Sequence, residues 1–550
     1  MTPVLRRALP WPSLPYRPLL AFGIPFALYL LTLAPTVYNL DSAELSVAAA
    51  TGGIARATGY PLYLLVGRAW TLLPFGDVGM RMNLFSAFCG AGTVLVVERI
   101  LSRWHVGGWA IFGALGLLAT STFFWSLSLV AEVYTLHTLL MALLILLLLR
   151  WEDRPTPARL ASVALLFGLS LGHHAATVLL LPGVLWFVLA IGGRGALAPR
   201  NLLPALLAGA LGLSVYLYLP LLYMLRPAFN YAGQYDATGT FQALDLRQPA
   251  ALWWLISGSA FRGAMFGYAP AELVGEVQAF AVHLWRAVFA VGLGPGLLGA
   301  ALLLGRSRPR GGMLLLMFLC SAAFYIDYRV MDKDTMFLPT YVVWALWLGV
   351  GLEWLAGWLR EAETEAARRS GALLLRGTIL ATVALSLGLN FTQVNLRDDR
   401  SARIRGERVL AQLAPGARLI GAWDTVPVVE YLQLVEGQRP DVGAINRFLI
   451  PQAALAALLR AEVGRRPVYV DAVPADLSTA YRVRRTGLLY EILPGRSSPQ
   501  DLSTSTSSTS STTATTSTAS TASPITWAGG SKAAPQAGHA RSGKPQGVVR

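Results

Sequence analysis

Charge is what this chain has least of: only 14% of its 550 residues are charged, 54% are hydrophobic, and the mean hydropathy is +0.51. An average soluble domain carries about 25% charged residues, so an ordinary water-facing surface is excluded and a polytopic membrane protein is expected. Cysteine is nearly absent. The two that occur, Cys89 and Cys320, lie inside apolar runs and imply buried thiols with no disulfide framework. Acidic residues fall short of basic ones, 30 against 45, for a formal charge of +15. The surplus arginines stand at the ends of apolar runs and form no continuous stripe, which excludes a nucleic-acid surface and leaves membrane orientation as the cause. Lysine is scarce, a hint of a GC-rich bacterial genome and hence of an inner-membrane protein. No A-x-A site follows the first apolar run, "LLAFGIPFALYLLTLAP", so that run is expected to stay as an uncleaved span. No repeat of fixed period is found.

A helical crossing needs about 20 apolar residues. Spans are expected near 19 to 38, 81 to 100, 108 to 127, 131 to 150, 158 to 172, 174 to 191, 201 to 223, 278 to 305, 311 to 326, 336 to 359 and 371 to 391, about eleven in all. The stretch around "GHH" is read as two short crossings, because a single helix from 158 to 191 would reach roughly 51 Å, too long for one bilayer. Under this alternation Arg6, Arg7, Arg17, Arg99, Arg103, Arg150, Arg194, Arg306, Arg310, Arg360 and Arg376 share one side, which the positive-inside rule makes cytoplasmic. On the other side fall "DSAE", "SLVAEVY", "GHH", the stretch from 223 to 277, "DYRVMDKD" and everything after Asn390.

After Arg397 short β-branched runs alternate with helical stretches, which predicts a small α/β domain over 395–495 outside the membrane, beside a transmembrane domain over 1–394. The Ser/Thr-rich tail over 496–550 lacks apolar residues to bury and reads as disordered.

The turn "YNLDSAELSVAAATGGIARATGYPLY" places Asp41 and Glu44 directly after the first apolar run. Asp-x-x-Glu before a helix-compatible run is the sequence form of a capping box, so on spacing alone Asp41 is the N-cap and Glu44 its reciprocal partner. The same spacing puts both carboxylates on one helical face, where they could serve a site. Other polar groups are expected on the same side: Glu132 and Tyr134, His173 and His174, and Asp327, Arg329, Asp332, Lys333 and Asp334. Ionisable residues near a membrane are costly to desolvate and tend to mark sites.

In "DSAELSVAAATGGIARATGYPLY", "RMNLFSA", "LVAEVYTLH", "LSLGHHAATVLLLPG", "DYRVMDKDTMFLPTYVVWALWLGVGLEWL" and "GAWDTVPVVEYLQLVEGQRPDV" the chain resembles the relatives of the secretory-pathway transmembrane O-mannosyltransferase, the family of domain of unknown function 2723. The resemblance runs to about residue 445 and implies an all-α polytopic GT-C glycosyltransferase fold. It further implies sugar transfer, mannose above all, from a polyprenyl-phosphate donor to a protein or glycan hydroxyl on the non-cytoplasmic face, with inversion. Members usually read His-Pro-Pro before Gly-Tyr-Pro, whereas this chain has Arg56, Ala57 and Thr58 before Gly59 and Tyr60. Arg56 therefore either replaces that histidine as a cation or signals altered substrate use.

Such a reaction needs a base for the acceptor, cations for the leaving phosphate and a groove for the lipid tail. Asp41 is the expected base, with Glu44 orienting it or binding sugar hydroxyls. Arg56, His173, His174, Arg329 and Lys333 are the expected phosphate stabilisers, and Tyr60, Glu132, Tyr134 and Asp332 the expected cavity lining. Tyr231 and Gln234 are candidates for sugar binding, although aromatic residues at a membrane interface also serve as belt anchors. Glu132 could instead merely cap the helix that follows it. No cofactor is expected: a divalent ion at the adjacent histidines is the lesser alternative, since neighbouring helical side chains point apart. Trp423 and Asp424 lie where a strand passes into a helix, with Asp424 read as an N-cap. The competing classes are a transporter or flippase of a lipid-linked substrate and a membrane scaffold; the one-sided clustering of ionisable groups favours the enzyme.

Overall fold

The computed structural model describes residues 16–473 and 481–495; Arg6, Arg7 and the Ser/Thr-rich tail lie outside the described residues. The described residues fall in one compact unit. Its first half comprises α1 (Arg17–Thr32), α2 (Asp41–Thr51), α3 (Pro61–Thr71), α4 (Val78–Arg103), α5 (Gly108–Thr120), α6 (Thr122–Leu127), α7 (Val133–Asp153), α8 (Pro157–His173), α9 (Leu181–Gly192), α10 (Pro199–Leu213) and α11 (Tyr218–Met224). A hairpin of β1 (Gly233–Tyr235) and β2 (Phe241–Ala243) precedes α12 (Pro249–Ile256), α13 (Pro270–Ala287), α14 (Leu293–Arg306), α15 (Arg308–Ile326), α16 (Leu338–Arg360) and α17 (Glu365–Val394).

Seven helical segments among the described residues are long and apolar enough to cross a membrane: α4, α7, residues 175–197, residues 199–224, α15, residues 333–360 and α17. Three shorter apolar helices, α1, α5 and α14, accompany them. A helix stands on each expected span, but two of the runs are divided: 108 to 127 breaks at Ser121 into α5 and α6. The run 278 to 305 is two helices, because Phe289 and Ala290 both turn left-handed, at φ 56° and 57°, and break α13 from α14. The "GHH" stretch is broken as expected: α8 ends at His173 and a 3₁₀ turn over Ala175–Leu180 leads into α9.

Small residues decide how closely these helices approach, since between apolar helices in lipid the association rests on packing. A Cβ on Gly351 would stand 1.8 Å from the Pro295 carbonyl, and one on Gly299 1.8 Å from that of Trp347, so α14 and α16 touch backbone to backbone. Gly168 and Gly212 do the same for α8 and α10. The basic helix ends carry ion pairs: Arg17 with Glu98, Arg103 with Asp153, Arg310 with Glu152 and Arg360 with Glu353.

Beyond α17 lie α18 (Ser401–Gln412), β3 (Arg418–Gly421), α19 (Val426–Leu434), β4 (Gly443–Asn446), α20 (Gln452–Glu462), β5 (Val468–Val470), β6 (Arg482–Thr486) and β7 (Leu489–Leu493). The sheet runs β4-β3-β5-β7-β6, parallel across β4, β3 and β5 and antiparallel across the last two pairs. Short β-branched strands joined by helices build such a parallel core. This layer is fastened to the helical body. Leu396 N–H donates to Thr32 O at 3.0 Å, Gly79 N–H to the Tyr431 hydroxyl at 3.0 Å, and Arg403 forks onto Glu436 at 2.6 and 2.7 Å while facing Asp77, the N-cap of α4.

Gly351→Ala forces α14 and α16 apart. It is expected to cost about 1–3 kcal/mol, read as a lower thermal midpoint in detergent, whereas Gly377→Ala inside α17, where a Cβ meets nothing within 4 Å, leaves the midpoint no lower and raises it by the helix preference of alanine.

Candidate active site

The chain enters α2 through Leu40, which turns left-handed at φ 55°, so the helix starts on Asp41 itself. The expected capping box is overturned: Leu40 is the N-cap, no side chain caps the helix, and Glu44 is bonded elsewhere. Both carboxylates are drawn away by Arg56. The Arg56 backbone N–H donates to Glu44 Oε1 at 2.7 Å, its Nε lies 3.5 Å from Glu44 Oε2, and its Nη2 donates to Asp41 Oδ2. A planar guanidinium has the fork to serve two acids at once.

Arg56 reaches this position because the loop between α2 and α3 is pinned. Gly52 ends α2 left-handed at φ 65°, and Gly53 passes so near the neighbouring strand that a Cβ would lie 2.7 Å from Phe229 O. Ile54 N–H then donates to Phe229 O, and Tyr231 N–H to Ile54 O, at 3.0 and 2.9 Å. Ile54 and Ala57 bury against Leu219, Leu222 and Leu255. The loop closes at Tyr60, left-handed at φ 43°, before Pro61 opens α3.

Burial differs sharply within the trio. Glu44 is 1% exposed, whereas Asp41 and Arg56 keep 22% and 26% of their side-chain surface. Burial raises the Glu44 carboxyl to about 8, against the opposing pull of Arg56. Burial also disfavours the Arg56 cation, but Asp41 and Glu44 more than offset it and hold the guanidinium protonated. Burial thus favours the proton on Glu44, while the two neighbouring acids favour the charge on Arg56.

A tryptophan from the sheet layer completes it. Trp423 Nε1 donates to Asp41 Oδ1 at 3.0 Å, and the Arg56 Cζ stands 4.5 Å from the indole centroid. Tyr231 meets the same ring edge-on at 5.4 Å, donates its hydroxyl to Glu430 and receives Asn446 Nδ2 at 3.3 Å. Burial, and the nearby Glu44, raise the Glu430 carboxyl to about 8. Asp424 does not cap α19: Thr425 holds that place, and Asp424 pairs with Arg405 at 2.9 Å.

Around this centre the expected residues divide. Glu132 and Asp332 lie within electrostatic reach of Asp41 and Arg56, and Tyr60 and Tyr328 close the same space. Surrounding protein and the Asp41 charge raise the Asp332 carboxyl, although the residue opens to solvent. Glu132 sits at the N-cap of α7 without capping it, and its buried Oε2 has no hydrogen-bond partner among the described residues, so the capping role is overturned. The His174 ring stands between Tyr60 and Tyr134, 5.7 and 6.0 Å away, with Nδ1 accepting from Ala176 N–H at 3.1 Å. His173 is a buried tie: its Nε2 bonds Val133 O at 2.8 Å, joining α8 to α7.

The cations of "DYRVMDKD" are engaged with α13 and do not join Arg56. Lys333 pairs with Glu276 and Tyr268, and Arg329 lies 3.4 Å from Glu272 and over the Tyr268 ring. Gln234 lies in β1 opposite Gln242, in the hairpin that follows Tyr231. Among the described residues no group of three or more His, Cys, Asp or Glu side chains is arranged to hold a metal ion. Glu430, Asn446 and Tyr328 were not anticipated. In the sequence Glu430 resembles an ordinary charge on a helix, and no spacing signal joins it to Tyr231.

Comparison with known proteins agrees with this architecture. Two solved structures that it resembles are those of ArnT from Cupriavidus metallidurans: one bound to undecaprenyl phosphate, at TM-score 0.55, 12% identity and coverage of 86% of this chain and 97% of that one; the other in the apo state, at TM-score 0.53 and 14% identity. At this identity the likeness concerns the fold, which is GT-C. The model for the N-terminal domain of protein O-mannosyl-transferase TMEM260 matches residues 41–193, a stretch that begins on Asp41. The mouse protein O-mannosyl-transferase TMEM260 is 32% identical over 241 residues, 42% of this chain and 34% of that protein. Its Dictyostelium discoideum counterpart is 22% identical over 542 residues, 86% of this chain and 66% of that one, so the chain spans one third to two thirds of these relatives. The chain is a polytopic membrane protein of GT-C fold. Within that class its N-terminal part is similar in sequence to the protein O-mannosyl-transferases TMEM260.

The raised Glu430 carboxyl makes stability depend on pH. The folded state keeps a proton that the unfolded chain gives up near 4.5, so stability falls as pH climbs from about 4.5 to about 8 and levels off above it. Glu430→Gln is expected to make the decline of the thermal midpoint between pH 5 and 8 shallower; an identical profile for both proteins contradicts the assignment.

Proposed function

We propose that this chain transfers a sugar, mannose foremost, from a polyprenyl-phosphate carrier to an acceptor hydroxyl on protein Ser/Thr or a glycan, at the non-cytoplasmic face of a bacterial inner membrane, with Asp41 as general base. The observation that carries this reading is the Asp41–Arg56 pair: a partly exposed carboxyl group at the end of an apolar bundle, bonded to the cation that a phosphate would seek. Support for the donor class comes from the ArnT structure of the same fold, which holds undecaprenyl phosphate. Support for the sugar comes from the O-mannosyl-transferase relatives.

In this reading the acceptor hydroxyl gives its proton to Asp41 as its oxygen attacks the anomeric carbon, and the bond to the carrier phosphate breaks with inversion. Arg56 is shared between Asp41 and the incoming phosphate. A doubly bonded guanidinium–phosphate contact is strong enough to compete with the resident ion pair, so donor binding relaxes the hold on Asp41 and leaves a lone pair for the acceptor. Glu44, whose burial favours its proton, accepts from the Arg56 backbone N–H and so holds the loop that carries the guanidinium. Tyr60, Tyr134 and His174 form an aromatic wall beside this centre, with Glu132 and Asp332 as acceptors for sugar hydroxyls. Arg329 and Lys333, paired with α13, hold the loop that carries Asp332.

The test is a purified-protein assay with radiolabelled polyprenyl-phosphate mannose beside other lipid-linked sugars. Asp41→Asn is expected to lower kcat by about 10²–10⁴-fold, the range of a lost general base, with its thermal midpoint preserved. Full transfer by that variant rejects the base, and transfer of another sugar in place of mannose rejects the donor.

A further inference from the structure

Asp41 has two partners, and one of them comes from outside the helical body. We infer that Trp423 is a positioning residue for Asp41, so that the C-terminal sheet layer completes the transfer site; this rests on the reading of Asp41 as the base.

The sheet places Trp423 there. β3 lies between β4 and β5, and the chain leaves β3 towards β4 on one side and then crosses to β5 on the other. In open α/β sheets the carboxyl ends of the strands at such a reversal are where binding groups collect. At this edge Asn446 ends β4, Asp471 follows β5, and the turn from Ala422 to Asp424 leaves β3.

That turn is held rigidly. Ala422 N–H donates to Asp471 Oδ2 at 2.6 Å, and Gly421 has no room for a side chain, since a Cβ would stand 2.9 Å from Val426 and 3.0 Å from Asp471. With its backbone fixed, the indole is flanked by Tyr231 and by Phe448 at 5.9 Å and aims its only donor at Asp41 Oδ1. A merely structural tryptophan would have no reason to carry a guanidinium on its face and a carboxylate on its N–H.

The consequence is orientation. Arg56 occupies one Asp41 oxygen and the Trp423 N–H the other, so the carboxylate plane cannot turn about its Cβ–Cγ bond. When donor phosphate draws on Arg56, Trp423 is the contact that keeps the remaining lone pairs aimed at the acceptor. Loss of the N–H therefore acts on turnover and leaves donor binding alone.

The test compares wild type with Trp423→Phe and with β-(3-benzothienyl)alanine at the same position, which keeps the fused rings and loses only the N–H. The benzothienyl protein is expected to lose about 10–100-fold in kcat, the worth of a charge-assisted hydrogen bond, at unchanged donor KM and thermal midpoint. The same replacement in an Asp41→Asn background is expected to change the residual rate by less than twofold. Wild-type kcat in the benzothienyl protein, a loss confined to KM, or an undiminished loss on top of Asp41→Asn overturns the role of Trp423. If Trp423→Phe fails to fold, the isostere alone decides. Full activity in Asp41→Asn overturns the underlying reading as well, whereas a dead Asp41→Asn beside a fully active isostere overturns Trp423 only.

Discussion

A carboxylate at the end of an apolar bundle must be paired, protonated or returned to water, because desolvating an isolated charge costs far more than a fold's net stability. Here all three solutions occur within one turn of helix. Glu44 is buried and favours its proton, Asp41 is paired, and the open side of Asp41 keeps some water. One guanidinium makes this possible. Arg56 reaches both acids only because Gly53 lets its loop press against Phe229, and the apolar anchors Ile54 and Ala57 keep it there. The site is thus a consequence of loop packing as much as of the residues named in its chemistry.

The rest of the molecule sorts its charges by the same constraint. At one end, arginines at helix termini find acids on neighbouring helices, as Arg310 does with Glu152 and Arg17 with Glu98. At the other, Lys333 and Arg329 meet glutamates of α13, so the cations nearest Asp332 are already neutralised. Arg56 is left as the cation beside the proposed base.

The apolar segments were legible because they answer to a local rule: length and hydropathy decide whether a helix suits lipid, and α4, α7 and α17 satisfy it plainly. The break at Phe289 and Ala290 was legible only in part: "AVFAVGLGPG" holds three glycines and a proline that weaken a helix, but the left-handed turn falls on two ordinary residues ahead of them. Asp41, Glu44 and Arg56 could be picked out, but as candidates whose partners were misread. Asp-x-x-Glu has the form of a capping box, and only the approach of Arg56 shows why neither carboxylate caps. Glu430 and Asn446 carry no signal of their own; they matter because Tyr231 comes to them from about 200 residues away in the chain.

Sequence by itself determined the solvent of this protein, the apolar spans that cross it and the gathering of acids, histidines and aromatics at one end. Those properties are sums over local composition and need no knowledge of neighbours. Tertiary structure decided the pairings. Whether Asp41 caps a helix or holds a guanidinium, and whether Trp423 lines a core or orients a carboxylate, depends on contacts across 15 and 382 positions. The free energies of the local and distant alternatives differ by only a kcal/mol or so, and it is the packing of whole elements that chooses between them.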